Sequence, residues 1–173
     1  MTEPKAVAEQ AEEIRRGLWH VPEAMNALAS PAAILLTTSS HQRSWWRLRR
    51  EAGVQVYAPA LVKETEEEPD VRYSEGDLLP GDLLAIFTPG AGTTQHSLLF
   101  EGDGGVAFAP DLFVRPVGGA LAMTPAQYMH DPEEARRSAE KLLGYEFDVL
   151  CHGHGVPVVG GAGDAVRAAL SVP

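Results

Sequence analysis

A single cysteine, Cys151, stands in 173 residues, so no internal disulfide framework can staple the chain. That usage fits a reducing cytosol. No apolar run approaches the roughly 18 residues that a membrane span needs. The first ten residues, Met1 to Gln10, are polar and acidic, unlike a basic-then-apolar export leader. These absences predict a soluble, cytoplasmic protein. Basic side chains are scarce too: 14 Lys and Arg against 24 Asp and Glu leave a net charge of −10, which argues against nucleic acid and anionic membrane as partners. What is there is apolar content. With 45% hydrophobic residues the chain can bury a real core, and 1–173 is expected as one domain.

Helical spacing of Val7, Ala11, Ile14 and Leu18 predicts a helix over Lys5 to Arg16, with Gly17 as its stop. Pro22 to Ala29 suits a second short helix, so 1–30 reads as a helical N-terminal segment. Ala32 to Thr37 is an apolar run of the kind found in buried parallel strands. The polar stretch Thr38 to Gln42 then lies where a strand hands over to a helix, at Ser44 to Ala52, before a strand at Val54 to Ala58. Together these make a β-α-β unit, and in an open α/β layer ligands bind at that handover. Lys63 to Asp70 is a charge run read as an exposed loop. Leu83 to Thr88 is a further strand, and Ser97 to Glu101 and Gly105 to Ala109 form a hairpin around Gly102-Asp103-Gly104. Asp131-Pro132-Glu133-Glu134 starts a helix that runs to about Leu143, because Asp caps, Pro takes the first turn and acids meet the positive end. A last helix covers Asp164 to Leu170.

The chemistry concentrates late in the chain. Phe147 to Leu150 reads as a buried strand that breaks into Cys151-His152-Gly153-His154-Gly155. Two imidazoles at the mouth of a strand suit metal binding or acid–base work, and equally suit a His-Gly turn with one hydrogen-bonded histidine. Asp111, within Ala109-Pro110-Asp111-Leu112, stands at a strand end among apolar neighbours, either as a site carboxylate or as a turn aspartate. Pro89 to His96 is rich in glycine and hydroxyls but lacks the spacing and lysine of a phosphate loop. A Cys151/His pair is a weak alternative nucleophile, with no evident orienting acid.

Taken in order, Ile34-Leu35-Leu36-Thr37, Thr88-Pro89-Gly90, Ala109-Pro110-Asp111-Leu112 and Gly153-His154-Gly155 resemble landmarks of the metallo-β-lactamase superfamily. They look like the strand before its His-x-His-x-Asp-His motif, the start of its Pro-Gly-His loop, the segment with its metal-bridging Asp, and its terminal Gly-His-Gly. The resemblance covers about Ala33 to Leu170. It implies an α/β fold (α+β in some schemes), an αβ/βα sandwich, here with a truncated N-terminal sheet. It also implies Asp111 and His154 as metal ligands if metal binds.

The first motif departs from the family. Thr38 and Ser40 stand where two ligand histidines belong, Gln42 where the water-activating Asp belongs, and Arg43 at the last His. An ungapped alignment puts Gln95 at another ligand histidine, with His96 one residue on. Two surviving ligands fall short of the three that a catalytic zinc requires, and a fixed guanidinium repels a dication. Arg43 pairing with Asp111 is the expected substitute. A rescue would bring in His41, His96 and His152 beside Asp111 and His154.

The first expectation is therefore a non-catalytic relative that binds an unknown small molecule in the cleft or serves in assembly, without a cofactor. The second is a hydrolase of esters or thioesters with an atypical zinc or other divalent metal site. A shortened N-terminal sheet leaves an edge or apolar face uncovered, which predicts a homodimer.

Overall fold

Apolar runs bounded by turn formers become strands, and the amphipathic stretches become helices that cover them. The computed structural model describes residues 12–15, 18–20, 31–40, 42 and 45–172. β1 (Glu12–Arg15) and β2 (Leu18–His20) form an antiparallel pair with Glu13 opposite Trp19. The helical expectation for the N-terminal segment is thereby corrected over Glu12–Arg15. Ile14 between charged neighbours satisfies the strand period as well as the helical one, and the partner strand decides between them. The helix expected at Pro22 to Ala29 lies outside the described residues.

β3 (Ala33–Leu35), α1 (Trp45–Ala52) and β4 (Gln55–Pro59) make the expected β-α-β unit, with Ile34 beside Val56 in a parallel register. β5 (Val71–Tyr73), unassigned from sequence, joins β4 in parallel and completes a sheet of order β3-β4-β5. The charge run between β4 and β5 is a loop, but its acids are used. Arg49 pairs with Asp70, Arg50 with Glu67, and Arg72 with Glu68 at 2.9 Å. Asp70 also accepts from the Val56 backbone N–H at 2.8 Å. An exposed pair such as Arg72–Glu68 adds at most about 1 kcal/mol. Asp70 does more, because one carboxylate ties loop, helix and strand.

β6 (Leu78–Leu79), β7 (Leu83–Phe87), β8 (His96–Phe100) and β9 (Val106–Phe108) run antiparallel in succession. The expected hairpin is β8–β9, and its turn holds Asp103 at φ 52° and Gly104 at φ 83°. After β10 (Phe113–Arg115) and β11 (Ala122–Met123), a 3-10 turn at Ala126–Tyr128 leads into α2 (Pro132–Leu142). β12 (Val149–Cys151), β13 (His154–Gly155), β14 (Val158–Val159) and α3 (Ala162–Leu170) close the chain. β12 inserts parallel to β9, giving a six-stranded sheet of order β14-β12-β9-β8-β7-β6. β13 leaves it to pair with β10, in a small sheet of order β11-β10-β13.

Three apolar clusters define the layers. Ile34, Trp45 and Val56 pack α1 on the three-stranded sheet. Tyr73, Leu79, Ala85 and Leu98 fill the space between the sheets, with Leu35 and Tyr57 against them. The largest cluster, including Ile86, Leu99, Leu112, Phe113, Leu150 and Val166, lies under α2 and α3. The order is helix, sheet, sheet, helices: an αβ/βα sandwich. No helix among the described residues is long and apolar enough to cross a membrane.

Asp131 caps α2 by accepting from the Glu134 N–H at 3.0 Å. Gly90, at φ 119°, lies so close to α2 that a Cβ would sit 2.1 Å from the Ala135 nitrogen. Urea denaturation is expected to show a loss of about 1 kcal/mol for Asp131→Ala. Gly90→Ala should cost about 3 kcal/mol, since both backbone conformation and space are denied to it. Equal costs for the two would mean that the Gly90 contact can relax freely.

Candidate functional site

The sheets meet at one end in a cleft, and backbone geometry brings its residues there. Pro110 and Asp111 follow β9, while Gly153 to Gly155 follow β12, the strand parallel to it. The two glycines are sterically required. A Cβ on Gly153 would lie 2.7 Å from the Pro110 carbonyl oxygen and 3.0 Å from Asp111 Oδ1. On Gly155, at φ 107°, a Cβ would lie 1.9 Å from the Arg115 carbonyl oxygen. Clamped between them, His154 pairs with Val114 in the register of β13 and β10. Its Nε2 stands 3.4 Å from Asp111 Oδ1. The Asp111 side chain is 20% exposed and that of His154 49%.

Across the cleft, Thr38 and Ser40 leave the end of β3. Their hydroxyls bond to each other at 3.2 Å, and the Ser40 N–H donates to Thr38 Oγ1 at 3.4 Å. Two buried bonds set this wall: Tyr73 donates its hydroxyl to the Leu36 carbonyl at 2.6 Å, and the His96 N–H donates to the Thr37 carbonyl at 2.8 Å. Burial raises the Tyr73 phenol well above its ordinary pKa, so it stays a donor. The cleft has two contiguous chambers, of about 200 and about 610 Å³, that share Ser40, Asp111 and His154. The larger is walled by Ala91, Val114, Thr124, Pro125 and Tyr128.

Thr38, Ser40, Asp111 and His154 line the smaller chamber together. The other candidates among the described residues do not line either chamber. Gln42 is a structural staple: its carbonyl accepts from Trp45 Nε1 at 3.2 Å and the Glu66 N–H at 2.8 Å, and its amide donates to the carbonyls of Ser39 and Glu64. Gln95 is fully buried, with neither amide atom hydrogen-bonded. His96 is core, 2% exposed. It packs on Tyr73 at 5.3 Å and Phe87 at 5.1 Å between ring centroids, with Nδ1 3.0 Å from the Thr94 carbonyl oxygen. His152 has both ring nitrogens buried without a hydrogen bond of normal geometry, and burial, ahead of neighbouring carbonyls and charges, pushes its pKa down. His41 and Arg43, with the pairing expected for Arg43, lie outside the described residues. Burial pushes the Cys151 thiol up to about 11, the opposite of an activated nucleophile.

Ala91, Val114, Thr124 and Tyr128 were not foreseen as cleft residues. Ala91 directly follows Pro89-Gly90 in the loop after β7 and lines the larger chamber, whereas Gln95 does not.

The described residues do not by themselves supply the ligand set of a catalytic metal. Asp111 and His154 converge, but the walls beside them offer hydroxyls and a methyl, and no three His, Cys, Asp or Glu side chains group as a metal site among the described residues.

Layer order, topology and this cleft define a class, and the chain has the metallo-β-lactamase fold. It is similar to an archaeal metallo-β-lactamase superfamily protein from Sulfolobus tokodaii, at 16% identity and TM-score 0.65 over 87% of this chain and 70% of that one. It is also similar to the B3 metallo-β-lactamase BLEG-1, at 19% identity and TM-score 0.60 over 74% of this chain and 71% of the other. A third is the protein TTHA1623 in a di-iron-bound form, at 21% identity and TM-score 0.60 over 75% of this chain and 72% of that one. No family model and no curated protein matches the sequence.

Burial, chiefly, depresses the His96 pKa below its ordinary 6.5, against raising contributions from the Thr94 carbonyl and Glu75, with Lys141 lowering it. The unfolded chain therefore takes up a proton near pH 6.5 that the folded chain refuses until lower pH. Stability should be full above 6.5 and decline as pH falls beneath it. His96→Phe should flatten part of that decline in denaturation curves measured from pH 7.5 to 5; an unchanged slope would show that His96 is protonated in place without cost.

Proposed function

We propose that this chain is a metallo-β-lactamase-fold protein with an eroded metal site, which keeps the cleft to bind a small molecule and does not catalyse metal-dependent hydrolysis. The donor set carries this reading: one carboxylate and one imidazole, against the three or more protein ligands of a catalytic zinc. The neighbouring wall positions hold Thr38, Ser40 and Ala91, and neutral hydroxyls and methyls do not replace imidazoles at a zinc site. The bond between Thr38 and Ser40 also directs the two hydroxyls at each other.

A second reading has one observation in its favour. Asp111 and His154 still meet at 3.4 Å, so a hydrolase of ester or thioester substrates with an atypical single-metal site is the alternative. Elemental mass spectrometry on untagged protein, purified without chelator and dialysed against zinc or manganese, separates the two. Metal well below one equivalent, unchanged by Asp111→Ala, is expected. A full equivalent that both Asp111→Ala and His154→Ala remove would transfer the case to the hydrolase.

We also propose self-association as a homodimer. Two features support it: among the described residues β3 is an edge strand, with β4 on one side, and Leu78, on the edge strand β6, is 68% exposed. Light scattering is expected to give twice the chain mass, and a monomer would end that idea.

A further inference from the structure

The cleft has chemistry of its own. Asp111 is the only formally charged residue among the described residues of both chambers, which include neither lysine nor arginine. Its side chain is 20% exposed, so the carboxylate faces the cavity from a largely protein-lined position, where a charge partner interacts more strongly than in water. The other walls of the larger chamber are mostly apolar or aromatic: Ala91, Val114, Pro125 and Tyr128. Ser40 and His154 add polar groups where the larger chamber meets the smaller one. At about 610 Å³ the chamber is in the range that encloses a ring-sized organic molecule.

From this combination we infer that the cleft takes an organic ammonium, an amine cation on an apolar ring-sized body. The ammonium donates to the Asp111 carboxylate, and the ring lies along Val114 and Pro125. The exposed Tyr128 ring at the rim can face a cation on its way in. The inference rests on the reading of the cleft as a binding site without a catalytic metal. With a dication at Asp111 and His154 the preference would invert toward anions. A fixed cation reaching the cleft from outside the described residues would invert it too.

Isothermal titration of the full-length protein with tyramine, and with its carboxylate counterpart 3-(4-hydroxyphenyl)propionate, tests this. Tyramine should bind at least about tenfold tighter than the acid, and Asp111→Asn should remove about tenfold of its affinity. Phenethylamine, which keeps the ammonium and the ring, should bind as tyramine does and lose affinity equally on Asp111→Asn. Val114→Trp, which fills the chamber, should abolish binding of both amines, and circular dichroism checks that each variant is folded. Preference for the acid, an Asp111→Asn protein that binds tyramine as well as the parent, or refusal of both probes overturns the inference. Metal content measured on the same sample distinguishes the two failures. Preference for the acid with a full equivalent of metal defeats the metal-free reading, whereas the same preference without metal defeats the ammonium assignment alone.

Discussion

Everything at the cleft depends on how closely two backbone segments approach each other. Gly153 and Gly155 lie against the carbonyl groups of Pro110 and Arg115 at distances that leave no room for a Cβ. That contact brings the end of β12 onto the loop after β9 and sets His154 beside Asp111. Any side chain at either glycine would push the strand ends apart and separate the pair. Because the constraint is steric and made by backbone, it is indifferent to whether a metal is present.

The opposite wall is held by two polar bonds, one within the three-stranded sheet and one joining it to the six-stranded sheet. Tyr73 to Leu36 and His96 to Thr37 fix the chain where β3 gives way to Thr38. A neutral His96 fits this dry position, with Tyr73 and Phe87 packed on its ring. Gln42 does similar work on the outer side, joining Trp45 to the acidic loop. Gln42 and His96, both candidate cleft residues by sequence, are parts of the framework.

The sequence made the layer order legible because its strongest signals were local. The cap at Asp131-Pro132, the hairpin glycines around Asp103 and the apolar run before Thr37 each specify an element through chemistry within a few residues. The short strands β5, β6, β10, β11, β13 and β14 were not legible. Two or three residues carry no period, and their pairing is decided by distant partners such as Val114 for His154. The site divides in the same way. Asp111 and His154 stood out by residue type and flanking glycines. Thr124 and Tyr128 come from a segment that reads only as a capped turn, and their place in the cleft follows from the docking of β11 on β10. Gln95 and His96 illustrate the limit: counting along a loop cannot tell which side chain faces a cavity and which faces the core.

Val114 has two roles that join in one mechanical consequence. It lines the larger chamber and is the residue beside His154 in the β10–β13 pairing. Floor and the His154 that faces Asp111 therefore belong to one hydrogen-bonded unit, and neither can shift without the other. A guest pressing on Val114 is felt at the carboxylate through a single rung of ladder, with no hinge between. Such a recess is preformed, so little ordering entropy is lost on filling it, and differences between guests should show in how slowly they leave rather than in how fast they arrive.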